Sequence, residues 1–415
     1  VELIGTLAAV ALIIILNHRG IKLYWAISAG IIVLVVTNRF AVEEIISIGY
    51  SSLTSDTMIT LTLIVITLTA FGNLLKETGG LNNIMTTLSA LIKNLRYQMV
   101  ILPLLIGLIT FPGGAIFSAP LVEEAGKKMD LSGARMALAN VTFRHLQYLV
   151  YPLYPGLLIV AELSGYSLYR FIQFNLPVLV LFFFAIYFYV FKGLDTGEGV
   201  YRGEKKKVQA KELFALFYSL GPLLIIIILA VAFGFFFPLA ITIGIVAAFA
   251  SYFPKEWPFG EIIKARLGYL AKGINWSMTF SIIAILIFKE FLEHSEVINE
   301  IMAYMLGNGL PMLALVILIP YLAGIIIGNP YASIGICVPL FMPILPDSEQ
   351  GFYYMALVFI CALAGYFGSP LHMCTILTAE HFRTSLPVLL KDVNILSAAL
   401  IILGVATYLF WQYII

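Results

Sequence analysis

Two long apolar runs of this chain are interrupted in the same way. Tyr151-Pro152-Leu153-Tyr154-Pro155-Gly156 breaks residues 135–163, and Gly365-Tyr366-Phe367-Gly368-Ser369-Pro370-Leu371-His372 breaks residues 351–379. Pro152-Leu153 stands 218 positions before Pro370-Leu371, and Ala161-Glu162 stands the same distance before Ala379-Glu380. Proline has no N–H and blocks the bond to the preceding turn. Glycine admits positive φ and close backbone approach. Each break therefore frees N–H and C=O groups in the middle of an apolar segment.

Upstream the correspondence continues at an offset of 217. Phe71 falls on Phe288, Leu75 on Leu292, Gly107 on Gly324, and the turn Phe111-Pro112-Gly113-Gly114 on Gly328-Asn329-Pro330-Tyr331. Each turn separates two apolar arms, in residues 98–125 and 309–345. The first arms fall short of the roughly 20 residues that a bilayer core demands, so both segments are expected to be re-entrant helical hairpins. Duplicated apolar segments broken in corresponding places point to a secondary transporter whose site lies at the breaks.

Composition agrees. Of 415 residues, 61% are hydrophobic and only 11% charged, against about 25% charged in soluble domains. Apolar runs without strict alternation exclude a β-barrel, and the chain reads as an all-α polytopic membrane protein. Ten crossings are expected: 3–16, 22–37, 57–75, 135–163, 171–191, 213–233, 236–252, 274–292, 351–379 and 393–413. Segment 3–16 lacks the cleavage site of a signal peptide. A net charge of +1 gives no sign of nucleic acid. Cys337, Cys361 and Cys374 show no metal-ligand spacing and read as free thiols.

Basic residues set the orientation. Arg19 and Lys22, Lys76 to Arg96, Lys127 to Arg135, the stretch 192–212, Lys255 to Lys272, and Arg383 with Lys391 all fall on one side if the N-terminus lies outside. Cytoplasmic loops carry that excess, so both termini are expected outside a plasma (cell inner) membrane. Residues 1–191 and 213–415 then form two repeats of five crossings and one hairpin, joined by the basic cytoplasmic linker 192–212. Five is odd, so the repeats are expected to have inverted topology.

The candidate substrate- and ion-binding residues follow from the breaks. They are Pro112, Gly113, Gly114 and Ser118 in the first hairpin, and Asn329, Pro330, Tyr331 and Ser333 in the second. Tyr151, Pro152, Tyr154, Pro155 and Gly156 come from the first broken span, and Gly368, Ser369, Pro370, His372 and Thr375 from the second. Free N–H groups at a helix start suit an anion, and freed carbonyls at the hairpin tips suit Na⁺. Against this stands the ordinary frequency of Pro and Gly kinks in membrane helices.

Arg144 lies inside a predicted span, where a charge is costly. Its planar fork suits a carboxylate; alternatively it snorkels to the cytoplasmic end or pairs with Glu123 or Glu124. His145 reads as a packing residue. His372, beside the proline break, is the better proton carrier. Glu380 and His381 read as a solvated helix end, and Thr57, Thr60, Thr62, Thr67 and Thr69 as bonding backbone or packing helices. No phosphate-binding G-x-x-x-x-G-K-[ST] and no H-E-x-x-H occurs, so neither a nucleotide-driven pump nor an enzyme is expected.

In its two hairpin turns (Pro112-Gly113-Gly114, Gly328-Asn329-Pro330) and the broken spans after them (Tyr151–Gly156, Gly368–His372), the chain resembles the ion transporter superfamily of secondary carriers. That group includes citrate/metal symporters, gluconate permeases and divalent anion/sodium symporters. The chain looks most like an uncharacterised bacterial and archaeal branch, a membrane family of unknown function. It lacks the Ser-Asn-Thr that the divalent anion symporters carry at these turns. The resemblance implies an elevator mechanism, a small organic anion as partner beside membrane lipid, Na⁺ or H⁺ as coupling ion, no resident cofactor, and a scaffold that forms a homodimer. A cation/proton antiporter is the alternative carrier, and a channel or intramembrane enzyme the alternative class.

Overall fold

The computed structural model describes residues 2–108, 114–194, 210–250, 258–295 and 311–414. Among them it is helix and turn, with no strand. The first half runs α1 (Glu2–His18), α2 (Leu23–Thr37), α3 (Val42–Thr54), α4 (Asp56–Glu77) and α5 (Gly80–Leu91). It continues with α6 (Leu95–Gly107), α7 (Ala115–Lys127), α8 (Gly133–His145), a 3₁₀ turn (Leu146–Leu149), α9 (Pro155–Ser164) and α10 (Leu168–Val190). The second half runs α11 (Ala210–Ile227, ending in a π-helical turn Ile228–Ala232), α12 (Phe237–Ala250), α13 (Phe259–Gly273) and α14 (Trp276–Glu293). Then come α15 (Met312–Ile327), α16 (Pro330–Phe341, followed by a 3₁₀ turn Met342–Ile344), α17 (Glu349–Gly368), α18 (Met373–His381) and α19 (Leu386–Ile414).

Among the described residues four stretches are long and apolar enough to cross a membrane: α4, α10, α19, and α17 with α18 taken together over 33 residues; the bent pair α13–α14 makes a fifth if it is one span. The shorter apolar helices α1, α2, α6, α9, α11, α12, α15 and α16 pack around them. The protein is a helical membrane protein. Helix starts are written locally: Ser55, Asn94, Ser132, Ser167, Asn275 and Asn329 each accept a backbone N–H from the first turn they precede. Such caps satisfy donors that a helix start otherwise leaves bare.

The core runs along the two broken helices. Every residue of α17 from Met355 to Gly368 is buried, as is every residue of α8 from Met136 to His145. A helix covered on all sides belongs at the centre of its bundle. By contrast α10 exposes Leu176, Val180, Leu181, Phe184 and Phe188, and α19 exposes Ile395, Ile402, Leu409 and Phe410, as lipid-facing helices do. Where α15 crosses α17, Gly324 and Gly365 let the backbones touch: a Cβ on Gly365 would overlap the Tyr321 carbonyl, and one on Gly324 the Ala362 carbonyl. Gly107 of α6 has the same relation to the Arg144 carbonyl at the end of α8.

Helix pairs α6–α7 and α15–α16 lie where the two hairpins were expected, and α8 and α17 end at the expected breaks; residues 109–113, the first tip, lie outside the described residues. Three segments expected to be loops are helices instead. These are α3, α5 and α13; all are amphipathic and α13 carries Lys264, Arg266 and Lys272. Charges in α3 and α13, and Asn, Thr and Ser in α5, interrupt the apolar runs and hide the helical period. Arg266, placed by sequence in a basic loop, is buried; it donates to the Phe249 carbonyl and lies over the Phe249 ring. Helix α13 also meets α14 at a 42° bend, so the expected crossing 274–292 has a second arm before it. The linker 192–212 falls mostly outside the described residues, though α11 already begins at Ala210.

Candidate binding site at the helix breaks

Both breaks are closed on their carbonyl side. Asn175 donates to the Leu149 carbonyl (2.8 Å) and Asn394 to the Gly368 carbonyl (3.2 Å). Ser369 donates to the Ile325 carbonyl (2.6 Å) while accepting from the Leu371 N–H (3.1 Å). At the second hairpin tip Gly328 takes φ +62, a left-handed turn that glycine tolerates. Asn17 of α1 donates to the Ile327 carbonyl (3.0 Å). Ser333 donates to the carbonyls of Asn329 and Pro330 (both 3.1 Å). These carbonyls already accept from side chains, and Asn329 caps α16, which leaves the N-termini of α9 and α18 without a side-chain cap.

Three helices start at the breaks and the second hairpin tip. Helix α9 starts at Pro155 behind Tyr154, α16 at Pro330 behind Asn329, and α18 at Met373 behind His372. The Tyr154 ring stacks on Tyr148 (3.9 Å between centroids) and lies 6.0 Å from Tyr331. The Tyr366 ring lies 4.0 Å from His372, which lies 4.7 Å from His145. Arg144 is completely buried among them, within electrostatic reach of Tyr148, Tyr331, Tyr366, His145 and His372. Apart from the partly buried Tyr331, the aromatic and charged members of the site are at most 8% exposed.

Arg144 has no exposed surface. It does not snorkel, and the carboxylates offered as partners are engaged elsewhere. Glu123 pairs with Lys127 (2.7 Å) and His381 (2.9 Å), and Glu124 pairs with Lys128 (2.8 Å). His381 thus contacts the Glu123 carboxylate rather than standing as a bare helix end. In the threonine column, Thr67 and Thr69 donate to carbonyls one turn back (2.6 and 2.7 Å).

Of the predicted residues, Tyr154, Tyr331 and His372 meet around Arg144. Thr375 bonds His372 (3.0 Å between Oγ1 and Nδ1). Ser118, Ser333 and Ser369 spend their hydroxyls on backbone carbonyls. Asn329 caps α16 through the N–H groups of Tyr331 and Ala332 (3.0 and 3.2 Å). Tyr151 is buried near the break. Pro152, Pro155, Pro330 and Gly156 shape backbone, and a Cβ on Gly156 would strike the Tyr154 ring. Gly368 makes room for Asn394, and Pro370 is exposed. Gly114 is the N-cap of α7. Pro112 and Gly113 lie outside the described residues.

Four members of the cluster were not singled out as site residues: His145, Tyr148, Tyr366 and Cys374. A signal existed. The offset of 218 that pairs Pro152 with Pro370 also pairs Tyr148 with Tyr366 and Tyr154 with His372. The two ring pairs are the closest ring contacts across each break, at 3.9 and 4.0 Å.

A search of curated proteins found no match. The profile of the family described as "Protein of unknown function (DUF401)" matches residues 3–411, nearly the whole chain, and the chain belongs to that family.

Proposed function

We propose that this protein is an ion-coupled secondary active transporter of a small organic anion, a carboxylate, and that Arg144 holds the anion. The observation that carries the proposal is a guanidinium with no exposed surface in the centre of a membrane bundle. Stripping a cation of water costs several kcal/mol, and such residues mark substrate paths. Around it lie three helix N-termini, whose partial positive charge favours a carboxylate, and tyrosine hydroxyls that donate to one.

Packing supports two inverted repeats, one spanning 1–191 and the other 213–415. Contacts exchange between halves. Helix α2 packs on α14 as α12 packs on α4, α3 on α14 as α13 on α4, and α7 on α18 as α16 on α9. Those exchanges fit a pseudo-twofold axis through the breaks, as in transporters that bind at the midplane. Likeness to the ion transporter superfamily then suggests an elevator: hairpins and broken helices carry the site, while α1–α2, α4, α11–α12 and α14 form the scaffold and its homodimer contact. The cell inner membrane, with both termini outside, is the setting that the charge pattern supports. Na⁺ or H⁺ is the coupling ion.

The test is thermal stability of the purified protein against a panel of carboxylates, with and without Na⁺, at two pH values. A ligand that binds only the folded form raises apparent stability by mass action. One carboxylate that stabilises wild type and has no effect on Arg144→Gln is the expected result. Response to cations alone overturns the proposal in favour of a cation/proton antiporter.

A further inference from the structure

Beside Arg144 is a trio of metal-ligating groups that no sequence spacing announces. One ring nitrogen of His145, one of His372, and the Cys374 sulfur all lie within 4.8 Å of one another, and all three residues are buried. They come from different elements: His145 ends α8, His372 is the N-cap of α18, and Cys374 sits in the first turn of α18. We propose that this trio is a binding site for a thiophilic d¹⁰ metal ion, Zn²⁺ or Cu⁺, that clamps one broken helix to the other.

The rings are held as metal-binding histidines are held. His145 Nδ1 is 2.6 Å from the Val141 carbonyl. A carbonyl only accepts, so Nδ1 carries the proton and Nε2 presents a lone pair. His372 Nδ1 is held 3.0 Å from Thr375 Oγ1. Fixing one nitrogen by a hydrogen bond and leaving the other as donor to a metal is the usual outer-shell arrangement. By hydrogen-bond geometry neither Nε2 has a partner among the described residues, although the Phe367 backbone lies near the His372 ring. A buried polar atom without one is costly, and here two imidazoles share the same dry space. A cation between them removes that cost.

The donor set selects the metal class. Two imidazoles and a thiolate suit Zn²⁺ or Cu⁺; Na⁺, Mg²⁺ and Ca²⁺ prefer oxygen. Bonds of about 2.0–2.3 Å in a tetrahedron put neighbouring ligand atoms roughly 3.3–3.6 Å apart, so the trio closes by about 1 Å on loading. On binding, Cys374 gives up its thiol proton to solvent or buffer and forms a sulfur–metal bond. Neither the metal nor the sulfur changes oxidation state.

Charge then separates the two ions. Cu⁺ with a thiolate is neutral. Zn²⁺ with a thiolate keeps one positive charge, and Arg144 adds another within reach of both imidazoles. Three protein ligands leave the fourth position of Zn²⁺ open, and an anion there balances the site. Only this identity of the fourth ligand rests on the transporter reading.

The experiment uses the full chain, purified in detergent and stripped with a chelator. Metal bound per chain is measured after adding Zn²⁺ or Cu⁺, with and without carboxylates, and Co²⁺ is substituted as a spectroscopic probe. One equivalent is expected for wild type and for Cys337→Ser, a control at a buried cysteine outside the trio. Cys374→Ser and His145→Ala should bind at least about 100-fold more weakly. Co²⁺ should give a thiolate-to-metal charge-transfer band that Cys374→Ser lacks. The band on wild type tests the sulfur ligand even if a variant fails to fold. Zn²⁺ binding that tightens with a carboxylate identifies a divalent site with an anionic fourth ligand; tight Cu⁺ binding without one identifies the monovalent site. No stoichiometric binding of either ion, or equal affinity in Cys374→Ser, overturns the proposal. Carboxylate stabilisation without metal binding would leave the transporter reading intact, and metal binding without a carboxylate response would leave only this site.

Discussion

Asn175 reaches back 26 residues to the carbonyl of Leu149, and the bond closes the first break from the flank of the next helix. Asn394 makes the same bond to Gly368 across the same 26 residues in the second half. Each carbonyl is one that the helix gives up when it stops. Replacing either Asn by Leu strands a buried carbonyl, which costs about 1–3 kcal/mol. Both variants should melt lower than wild type. Thermal scans of the two singles and the double check this, and an unchanged midpoint in both singles would refute it.

Arg144→Lys tests shape against charge. Lysine keeps the positive charge but loses the two-pronged fork. Truncating one partner of a buried, hydrogen-bonded charge pair costs about 2–5 kcal/mol, so anion affinity should fall at least about 30-fold. Calorimetric titration with the stabilising carboxylate measures it. Equal affinity in Arg144→Lys would show that only the charge matters there.

Asn329 separates a capping role from an anion site. Asn329→Ala removes the cap of α16 and should cost about 0.5–2 kcal/mol of stability. Asn329→Asp keeps an oxygen for the Tyr331 and Ala332 N–H groups but adds a negative charge at the tip. The expected outcome is near wild-type stability with uptake lost. Wild-type uptake in the Asp variant would remove the tip from the site.

Glycine variants divide by contact. Gly365→Ala and Gly324→Ala force α15 and α17 apart, because each new Cβ overlaps backbone; overpacking of this kind costs about 1–3 kcal/mol. Gly221→Ala in α11 meets nothing within 4 Å and should be neutral or stabilising by up to about 1 kcal/mol. Melting temperatures of the three distinguish them.

Lys127, and behind it His381, hold the Glu123 carboxyl below its ordinary value of 4.5. A depressed carboxylate stabilises above its unfolded pKa and loses that contribution as pH falls through the folded one. The pairs are partly exposed, so the effect is small. Wild type should exceed Glu123→Gln in melting temperature above about pH 4.5, with the two curves converging in more acid buffer. A constant gap across that range would argue against the pair.

Sequence carried most of the architecture because Pro and Gly mark breaks whatever surrounds them. Leu149 to Tyr154 and Gly368 to His372 were legible for that reason. Helices α3, α5 and α13 were not, since an amphipathic helix mixes polar residues, Asn82 and Thr86 in α5 or Lys264 in α13, into its apolar stripe. The site was legible only to a degree. Tyr154, Tyr331 and His372 adjoin breaks, whereas His145 and Cys374 owe their meeting to the packing of α8 against α18, which no local spacing encodes. The seated asparagines, Asn175 and Asn394, each lie in a long apolar helix and are read only when the carbonyl they serve is known.

The glycine crossings have a mechanical consequence. At Gly324 helix α15 meets α17 backbone to backbone, whereas at Gly107 the Gln147 side chain shares the contact with the Arg144 carbonyl. Moving α15 off α17 at Gly324 would mean pulling touching backbones apart, with no side chain there to take up the strain. If the elevator proposed above operates, α15 and α17 travel as a single slab. The yielding surface is then the outer one, between that slab and the helices that flank it.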